Sequence, residues 1–218
     1  MNPPTSNALD SLNLAVRGLY TPRRLAVALA FSAVLFALLV NDSWRITPDS
    51  GLYMCLGRAL AEGQGFTYNG EPHRLVPPGY PALLAALKLT CGDAFLHLRL
   101  AHAVMGWLCG LLVFLTLRRL VGHDLAFLVF LLFFLAQSLF ARSAYFLSDI
   151  PFTLVVWLAL LAVVHLLTAP RRRWLWAILA GVALALCPLV RINGWGLLPA
   201  VLLCLAITWN RRRAGTWR

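Results

Sequence analysis

Charged residues are scarce in this sequence: they make up 12% of its 218 residues, whereas 61% are hydrophobic. Its mean hydropathy is +0.77. A soluble domain usually has about twice that share of charged residues. The scarcity of charge therefore excludes an ordinary water-facing surface, and the composition predicts a protein that is solvated mainly by lipid.

Acidic residues are scarcer than basic ones. There are 8 Asp and Glu residues against 19 Lys and Arg residues, which gives a net charge of +11. In a soluble protein that excess would suggest nucleic-acid binding. Here the arginines lie in short clusters between apolar runs, which is the pattern that orients membrane proteins. No basic face remains once these clusters are assigned to loops, so the lipid bilayer is an expected partner and nucleic acid is not.

The cysteines form no pattern that indicates a disulfide framework or a metal site. Of the five, Cys109, Cys187 and Cys204 lie inside apolar runs. Cys55 and Cys91 are the two that could meet in one loop. We interpret all five as small hydrophobic residues.

Six apolar runs are predicted to span the membrane, since each is near or somewhat below the ~20 residues that cross about 30 Å of hydrocarbon. No small-residue cleavage site follows the first run, so we interpret it as an uncleaved helix. Segment Pro81–Thr90 is also apolar but too short to span, and it is predicted to be an interfacial or re-entrant helix. The six runs are Leu25–Val40, Phe95–Leu117, Leu125–Tyr145, Ile150–Leu167, Trp174–Val190 and Trp195–Trp209.

The basic clusters predict the orientation of these spans. If the short apolar segment does not cross, every cluster faces the cytoplasm, as the positive-inside rule favours. Segment 1–24 and the basic tail 210–218 are then cytoplasmic, the transmembrane module covers 25–209, and the long loop 41–94 lies outside. Most acidic residues fall in the outer loops, so chemistry is expected there. The clusters are Arg23-Arg24, Arg118-Arg119, Arg171-Arg172-Arg173 and Arg211-Arg212-Arg213.

The first outer loop opens with a helix signal. Thr47 can cap a helix, Pro48 suits its first position, and Asp49 then lies in its first turn. Tyr53 follows four residues later on the same face. The Asp49 carboxylate can have only a local role as a charge at the helix N-terminus. It can instead take a proton from an acceptor hydroxyl or hold a divalent cation. The residues alone leave these alternatives open.

The second half of the loop is rich in turn residues. Asn69-Gly70 favours a tight turn, and Pro77-Pro78-Gly79-Tyr80-Pro81 favours an extended chain that bends into the interfacial helix. Between them, His73 and Arg74 can meet a phosphate or be solvated loop residues.

The order of these motifs resembles the first outer loop of GT-C membrane glycosyltransferases. The similar branch is related to dolichyl-phosphate-mannose protein mannosyltransferases and aminoarabinose transferases, and so to glycosyltransferase family 39. The resemblance covers roughly residues 25–205. It is carried by Asp49-Ser50-Gly51-Leu52-Tyr53, Ala59-Leu60, Gly63-Gln64-Gly65, Pro77-Pro78-Gly79-Tyr80-Pro81, Ser148-Asp149-Ile150-Pro151-Phe152 and Arg191-Ile192-Asn193-Gly194 before Leu197-Leu198-Pro199.

The resemblance implies an all-α protein of the bacterial cytoplasmic (inner) membrane that transfers a sugar from a polyprenyl-phosphate donor to an acceptor on the extracytoplasmic face. It implies catalytic roles for Asp49 and Asp149. Many relatives carry two adjacent acids where this chain has Asp49-Ser50. The resemblance therefore leaves open whether a divalent cation binds, with Asp49 as its ligand if it does. The donor or substrate contacts that we predict are Tyr53, His73, Arg74, Pro78, Gly79, Tyr80, Arg99 and Arg191.

Plainer roles exist for several of these residues. Arg191 can extend its charge to the membrane surface, as can Arg99, and Ser148 or Asp149 can cap a helix. Arg99, His97 and His102 lie in the outer half of the second span, where ionisable residues are functional candidates by default.

The length of the chain opens an alternative to a complete enzyme. Members of this family are typically longer. The chain can therefore be a truncated or degenerate, non-catalytic protein, or a subunit that a second chain completes. The acceptor, whether lipid, glycan or protein, is not predicted.

Overall fold

The computed structural model describes residues 8–40, 46–92, 94–135, 146–168 and 172–213. Most of these described residues are helical, as the apolar runs predict. The elements, in chain order, are α1 (Ala8–Ala15), α2 (Pro22–Leu39), α3 (Pro48–Ala61), β1 (Thr67–Tyr68), β2 (Glu71–Pro72), α4 (Gly79–Cys91), α5 (Phe95–Leu117), α6 (His123–Leu135), α7 (Asp149–Thr168), α8 (Arg173–Val190), a 3₁₀ turn (Ile192–Gly196) and α9 (Leu197–Arg213).

Four helical segments are long and apolar enough to cross a membrane. They correspond to α5, α7, α8 and the stretch Ile192–Asn210 that contains most of α9, so four of the six predicted spans are confirmed in position. The first predicted span corresponds to α2, which has 18 residues. The third corresponds to α6, which has 13 described residues and so measures about 20 Å at 1.5 Å per residue. The rest of that predicted run, 136–145, lies outside the described residues.

Two boundaries differ from the predicted ones. Helix α2 begins at Pro22, so Arg23 and Arg24 form part of its first turn. Thr21 caps this helix by accepting a hydrogen bond from the Arg24 amide at 3.1 Å. Helix α9 continues to Arg213, because nothing in Asn210-Arg211-Arg212-Arg213 breaks a helix. The first residues of the predicted basic tail are therefore helical.

The helix predicted after the first span is confirmed, and reciprocal capping explains where it starts. The Thr47 hydroxyl accepts from the Ser50 amide at 3.1 Å, and the Ser50 hydroxyl accepts from the Thr47 amide at 2.9 Å. This capping box satisfies two backbone donors at the start of α3. Ser50 is fully buried by it, so the residue after Asp49 has a structural role.

A short β-hairpin separates α3 from α4. Asn69 and Gly70 both have positive φ angles, 54° and 85°, which is the backbone of the two-residue turn that Asn-Gly favours. Strands β1 and β2 pair antiparallel, with Tyr68 opposite Glu71. The turn predicted at Asn69-Gly70 is therefore confirmed.

The interfacial helix predicted at Pro81–Thr90 corresponds to α4, which packs closely on α3. A β-carbon on Gly57 would lie 2.9 Å from the Leu84 Cβ atom and 3.2 Å from the Pro81 carbonyl oxygen. The absence of a side chain at Gly57 thus sets how near α3 and α4 approach, and it places both beside the start of α5.

The break predicted around Arg191 is also confirmed. Helix α8 ends at Val190, and Arg191 is extended, with φ −151° and ψ 136°. The Gly194 amide then donates to the Arg191 carbonyl at 2.8 Å. A β-carbon on Gly194 would collide with the backbone of Cys187 and Pro188, so this compact turn requires glycine.

Three buried clusters pack the described helices, and two of them adjoin α5. The phenylalanine cluster joins α2, α5 and α6 and consists of Phe36, Ala103, Phe114, Ala126, Phe127, Phe130 and Phe134. The tyrosine cluster lies where α3 and α4 meet the ends of other helices, and its buried members are Tyr80, Leu84, Leu98, Phe146 and Val190. The predicted site residues concentrate around the second cluster.

Candidate functional site

Asp149 and Arg191 form an ion pair across 42 residues of sequence. Asp149 is the first residue of α7, and Arg191 follows the last residue of α8. Their side chains are 20% and 37% exposed, respectively, so water or a ligand can still reach both charges. The end of one membrane helix and the start of another thus bring opposite charges to one point.

Tyr53 links α3 to this pair. Its hydroxyl lies 3.4 Å from the Ser148 hydroxyl, and Ser148 directly precedes Asp149. Ser148 is itself buried, and its carbonyl accepts from the Phe152 amide at 2.9 Å in the first turn of α7. The contact therefore fixes α3 beside the residue that starts the Asp149 helix.

Asp49 lies one helical turn before Tyr53, on the same face of α3. Its side chain is exposed, and no ion pair or hydrogen bond of its carboxylate is found within the described ranges. The capping box next to it fixes the backbone from which the side chain projects. The structure thus offers an accessible carboxylate one turn from the residue that contacts Ser148, next to Asp149.

Tyr80 is the buried centre of the site region. Its ring meets that of Tyr53 edge-on, with centroids 5.0 Å apart, and its hydroxyl lies 2.9 Å from His102 Nε2. Burial raises the pKa of the Tyr80 hydroxyl well above its ordinary value, so this hydroxyl stays protonated.

The other nitrogen of His102 fixes the direction of that bond. His102 Nδ1 lies 2.8 Å from the Leu98 carbonyl, which can only accept, so Nδ1 carries the proton and Nε2 of the neutral ring accepts from Tyr80. The imidazole also packs edge-on against Phe146 at 5.3 Å between ring centroids. Sequence reasoning grouped His102 with its neighbours but assigned it no role; its position inside a membrane helix was the available signal.

The predicted proline-glycine segment positions the start of α4. Pro78 precedes α4 and makes no side-chain cap. A β-carbon on Gly79 would lie 2.6 Å from the Leu189 carbonyl oxygen. Gly79 therefore lets α4 begin directly against the last turn of α8, two residues before Arg191.

Arg99 is buried, with 5% of its surface exposed, rather than extended to the membrane surface. It lies one turn before His102 in α5 and next to Leu98 of the tyrosine cluster. A charge held at that depth belongs to the interior of the site region.

His73 and Arg74 lie apart from this group, at the end of the hairpin. The His73 amide donates to the Phe66 carbonyl at 2.9 Å, and its half-buried ring meets Phe66 and Tyr68 edge-on. Arg74 is exposed. No hydrogen bond, ion pair or ring contact within the described ranges joins either residue to Tyr53, Asp149 or Arg191.

No three His, Cys, Asp or Glu side chains come together as a possible metal site in the part of the chain that the structure describes. Asp49 was the predicted ligand, and Ser50 beside it is occupied by the capping box. The donor atoms in these ranges therefore form no cluster that could hold a divalent cation without further ligands.

A cavity of about 410 Å³ opens between α3, α4 and the start of α5. Its lining is mainly apolar, with Lys88 and Arg58 among the polar contributors. The apolar residues Met54, Leu84, Phe95 and Leu98 contribute to its walls. It shares Leu84 and Leu98 with the tyrosine cluster, so an apolar group bound there would adjoin the site region.

Fold and site together define an integral membrane protein of helical type, with charged groups gathered where its helices begin and end. The family model of dolichyl-phosphate-mannose-protein mannosyltransferases matches residues 85–218. The chain therefore belongs to this family of GT-C glycosyltransferases, and the resemblance drawn from its motifs is confirmed.

Two solved structures have the same fold. The crystal structure of ArnT from Cupriavidus metallidurans bound to undecaprenyl phosphate superposes with a TM-score of 0.71 at 18% identity, covering 88% of this chain and 37% of that chain. ArnT in the apo state gives a TM-score of 0.69 at 19% identity, covering 84% and 35%. The chain thus spans little more than a third of the length of these structures. A comparison with curated protein sequences gives no match.

Proposed function

We propose that this chain acts in the transfer of a sugar from a polyprenyl-phosphate donor to an acceptor at the membrane surface. The observation that carries the proposal is the Asp149–Arg191 ion pair, beside the helix that presents the exposed Asp49. Membership of the glycosyltransferase family supports the reaction class. The ArnT crystal structure with undecaprenyl phosphate supports the donor class.

The reaction breaks the bond between the sugar C1 and the donor phosphate oxygen, and it forms a bond from C1 to the acceptor oxygen. The electron pair of the broken bond leaves with the phosphate, and the acceptor gives up its hydroxyl proton. Two groups are therefore needed: a base for the proton and a positive charge for the departing phosphate.

Arg191 is the proposed positive charge. Its guanidinium is partly exposed, so a phosphate can approach its remaining donors. Asp149 holds it at the end of α8 and thereby fixes its direction. An arginine already oriented by a carboxylate needs little rearrangement when charge develops on the leaving group.

Asp49 is the proposed base. Its carboxylate is exposed and lies one turn from Tyr53, which contacts the residue before Asp149. An acceptor hydroxyl bound over Tyr53 would have Asp49 on one side and the donor phosphate on the other. Attack from the face opposite the departing phosphate would invert the anomeric carbon.

The donor is proposed to enter along the apolar cavity of α3, α4 and α5. Its prenyl chain suits the apolar walls, and exposed Arg74, with His73, is a first contact for its phosphate. Tyr53, Tyr80, Pro78, Gly79 and Arg99 would shape the pocket around the sugar.

We propose that the site faces the extracytoplasmic side of a bacterial cytoplasmic membrane. Helix α2 begins at Pro22, with Arg23 and Arg24 in its first turn, and α5 ends at Leu117, just before Arg118-Arg119. In the chain, α3 and α4 lie between the other ends of these two helices. The positive-inside rule favours the cytoplasm for the arginine-rich ends and therefore the outer side for α3 and α4. The acceptor, and any second chain that completes the site, are left to experiment.

The test is donor use by the purified chain in proteoliposomes. Undecaprenyl phosphate binding is measured by tryptophan fluorescence, and release of polyprenyl phosphate is measured with synthetic polyprenyl-phosphate sugars and a membrane extract as the acceptor source. We expect Asp49→Asn to bind undecaprenyl phosphate normally but to lose transfer by about 10²–10⁴-fold, the usual contribution of a general base. Arg191→Gln is expected to weaken both undecaprenyl phosphate binding and sugar transfer.

Glu71→Gln, which removes an exposed acid from the same loop, is the matched control and should behave as wild type. Unchanged transfer in Asp49→Asn would exclude it as the base. Binding without transfer by the wild-type chain would favour the non-catalytic alternative, and no binding at all would reject the proposal.

A further inference from the structure

A path of direct side-chain contacts connects the interior of α5 to the acid–arginine pair. His102 bonds to Tyr80 at 2.9 Å, Tyr80 packs on Tyr53, and the Tyr53 hydroxyl meets Ser148 at 3.4 Å. Ser148 is bonded in sequence to Asp149. Each contact joins a different helix to the next, so the Tyr80 ring, held by His102, supports the Tyr53 side chain that contacts Ser148 before α7.

The start of α4 is held by close packing against α3 and α8, and Tyr80 adds a directed polar contact to this packing. No side chain caps this helix, and Gly79 contributes close packing but no bond. Tyr80 is wholly buried, and its hydroxyl needs an acceptor because an unsatisfied buried hydroxyl is costly. His102 Nε2 supplies that acceptor.

His102 is itself fixed at its other nitrogen. The bond from Nδ1 to the Leu98 carbonyl, one turn back on α5, sets the tautomer, and the Phe146 ring restrains the plane of the imidazole. The imidazole therefore presents the lone pair of Nε2 in one fixed direction. A fixed acceptor of this kind can hold the Tyr80 hydroxyl in one position.

We propose that His102 is a positioning residue for sugar transfer: through Tyr80 it sets the distance between the Asp49 helix and the Asp149–Arg191 pair. It touches neither donor nor acceptor. This inference rests on the proposed function, because the distance matters only if those groups act on one substrate.

The variants are chosen around a matched pair of histidines. His165 makes the same bond in another membrane helix, from Nδ1 to the Leu161 carbonyl at 2.9 Å, but its ring stacks on Trp176 and lies far from the site. His102→Leu is compared with His165→Leu, so that loss of a carbonyl-bonded membrane histidine is controlled. His102→Gln restores an acceptor for Tyr80.

We expect His102→Leu to lower kcat by roughly tenfold to a hundredfold, the effect of a displacement of about 1 Å at a reacting centre. The affinity for undecaprenyl phosphate should not change. His102→Gln should recover most of the rate, and His165→Leu should keep it. The double variant Tyr80→Phe/His102→Leu should have a kcat no lower than that of the more impaired single variant, since both substitutions remove the same bond.

A second readout does not require activity. Tyrosine ring resonances of ¹³C-labelled protein in nanodiscs are compared, with Tyr53→Phe identifying the Tyr53 signal among the five tyrosines. His102→Leu should shift that signal, His102→Gln should largely restore it, and His165→Leu should leave it in place.

The outcomes separate the two proposals. An inactive wild-type chain rejects the proposed function and with it the role of His102 in sugar transfer; the Tyr53 resonance then shows only whether His102 positions Tyr53 through Tyr80. An active chain with equal kcat in His102→Leu and His165→Leu, or an unmoved Tyr53 signal, overturns the positioning role of His102.

Discussion

The phenylalanine cluster and the tyrosine cluster are both rich in buried aromatic rings but differ in how they use polar groups. In the first, aromatic rings stack on one another, as Phe127 and Phe130 do at 6.1 Å between centroids. In the second, Tyr80 and His102 combine ring packing with a directed hydrogen bond. Stacked apolar rings tolerate small displacements, whereas hydrogen bonds lose energy steeply with misalignment.

Because of this difference, we expect the phenylalanine cluster to affect mainly the stability of the bundle and the tyrosine cluster to affect mainly its function. The phenylalanine cluster can hold α2, α5 and α6 together in any arrangement that excludes lipid and voids. The tyrosine cluster must also fix where particular atoms lie, since Asp149 and Arg191 adjoin it. Matched substitutions in the two regions should therefore change different quantities.

The largest contrast is expected between two tightly packed glycines. In Gly79→Ala the new methyl group would meet the Leu189 backbone at 2.6 Å, and backbone cannot move aside. The start of α4 must shift, so we expect kcat to fall by about tenfold to a hundredfold. Transfer by purified, folded protein is the measurement.

Gly110→Ala is its counterpart in the phenylalanine cluster. There the new methyl group meets the ring of Phe134, a side chain that can turn. We expect overpacking to cost about 1–3 kcal/mol of stability, seen as a lower Tm, with kcat unchanged. Equal losses of kcat in both variants would show that the two regions do not differ as argued.

A smaller contrast is expected between two acids. Asp149→Asn removes the charge that orients Arg191, and we expect kcat to fall about tenfold, equivalent to ~1.4 kcal/mol of transition-state stabilisation. Asp124 instead accepts a hydrogen bond from the Tyr20 amide at 2.6 Å, next to the phenylalanine cluster.

For Asp124→Ala we expect a loss of about 1.5–3 kcal/mol of stability, as for other hydrogen bonds to a charged group, without a change in kcat. Transfer assays and thermal unfolding of both variants decide the matter. A kcat defect in Asp124→Ala would mean that the Tyr20 contact also affects the site.

The sequence predicts those parts of the site that depend on neighbouring residues. Thr47-Pro48-Asp49 predicts the start of α3, Asn69-Gly70 predicts the hairpin turn, and the residues around Arg191 predict the helix break. Each follows from backbone preferences within a few residues. The periodicity and length of the apolar runs similarly predict most of the membrane helices.

The contacts that assemble the site were not predictable in this way. Tyr53 and Ser148 are 95 residues apart, Asp149 and Arg191 are 42 apart, and Tyr80 and His102 are 22 apart. Which helix ends meet depends on packing over the whole bundle, including the close approaches at glycines. The same packing buries Arg99, which the sequence alone allowed to reach the membrane surface.

The smallest effect is expected at a surface charge network on α3 and α4, beside the tyrosine cluster but outside it. Glu62 Oε1 accepts from Arg58 at 2.7 Å and from Lys88 at 3.2 Å. The hydrogen bonds from Arg58 and Lys88 lower the pKa of the Glu62 carboxyl below its ordinary value. A lowered folded-state pKa stabilises the protein above the unfolded pKa, and this contribution is lost as pH falls through the folded value.

Wild type should therefore have a slightly higher Tm than Glu62→Gln at pH 7, and the two should converge as the pH falls below the lowered folded-state pKa of Glu62, where its carboxyl is neutral too. Glu71→Gln controls for the loss of one exposed negative charge. The kcat of Glu62→Gln should equal that of wild type, because α3 and α4 remain joined at Gly57. A Tm difference that persists at low pH would show that the network acts through packing rather than charge. A lower kcat in Glu62→Gln would show that this surface network, like the contacts of the tyrosine cluster, also positions the site.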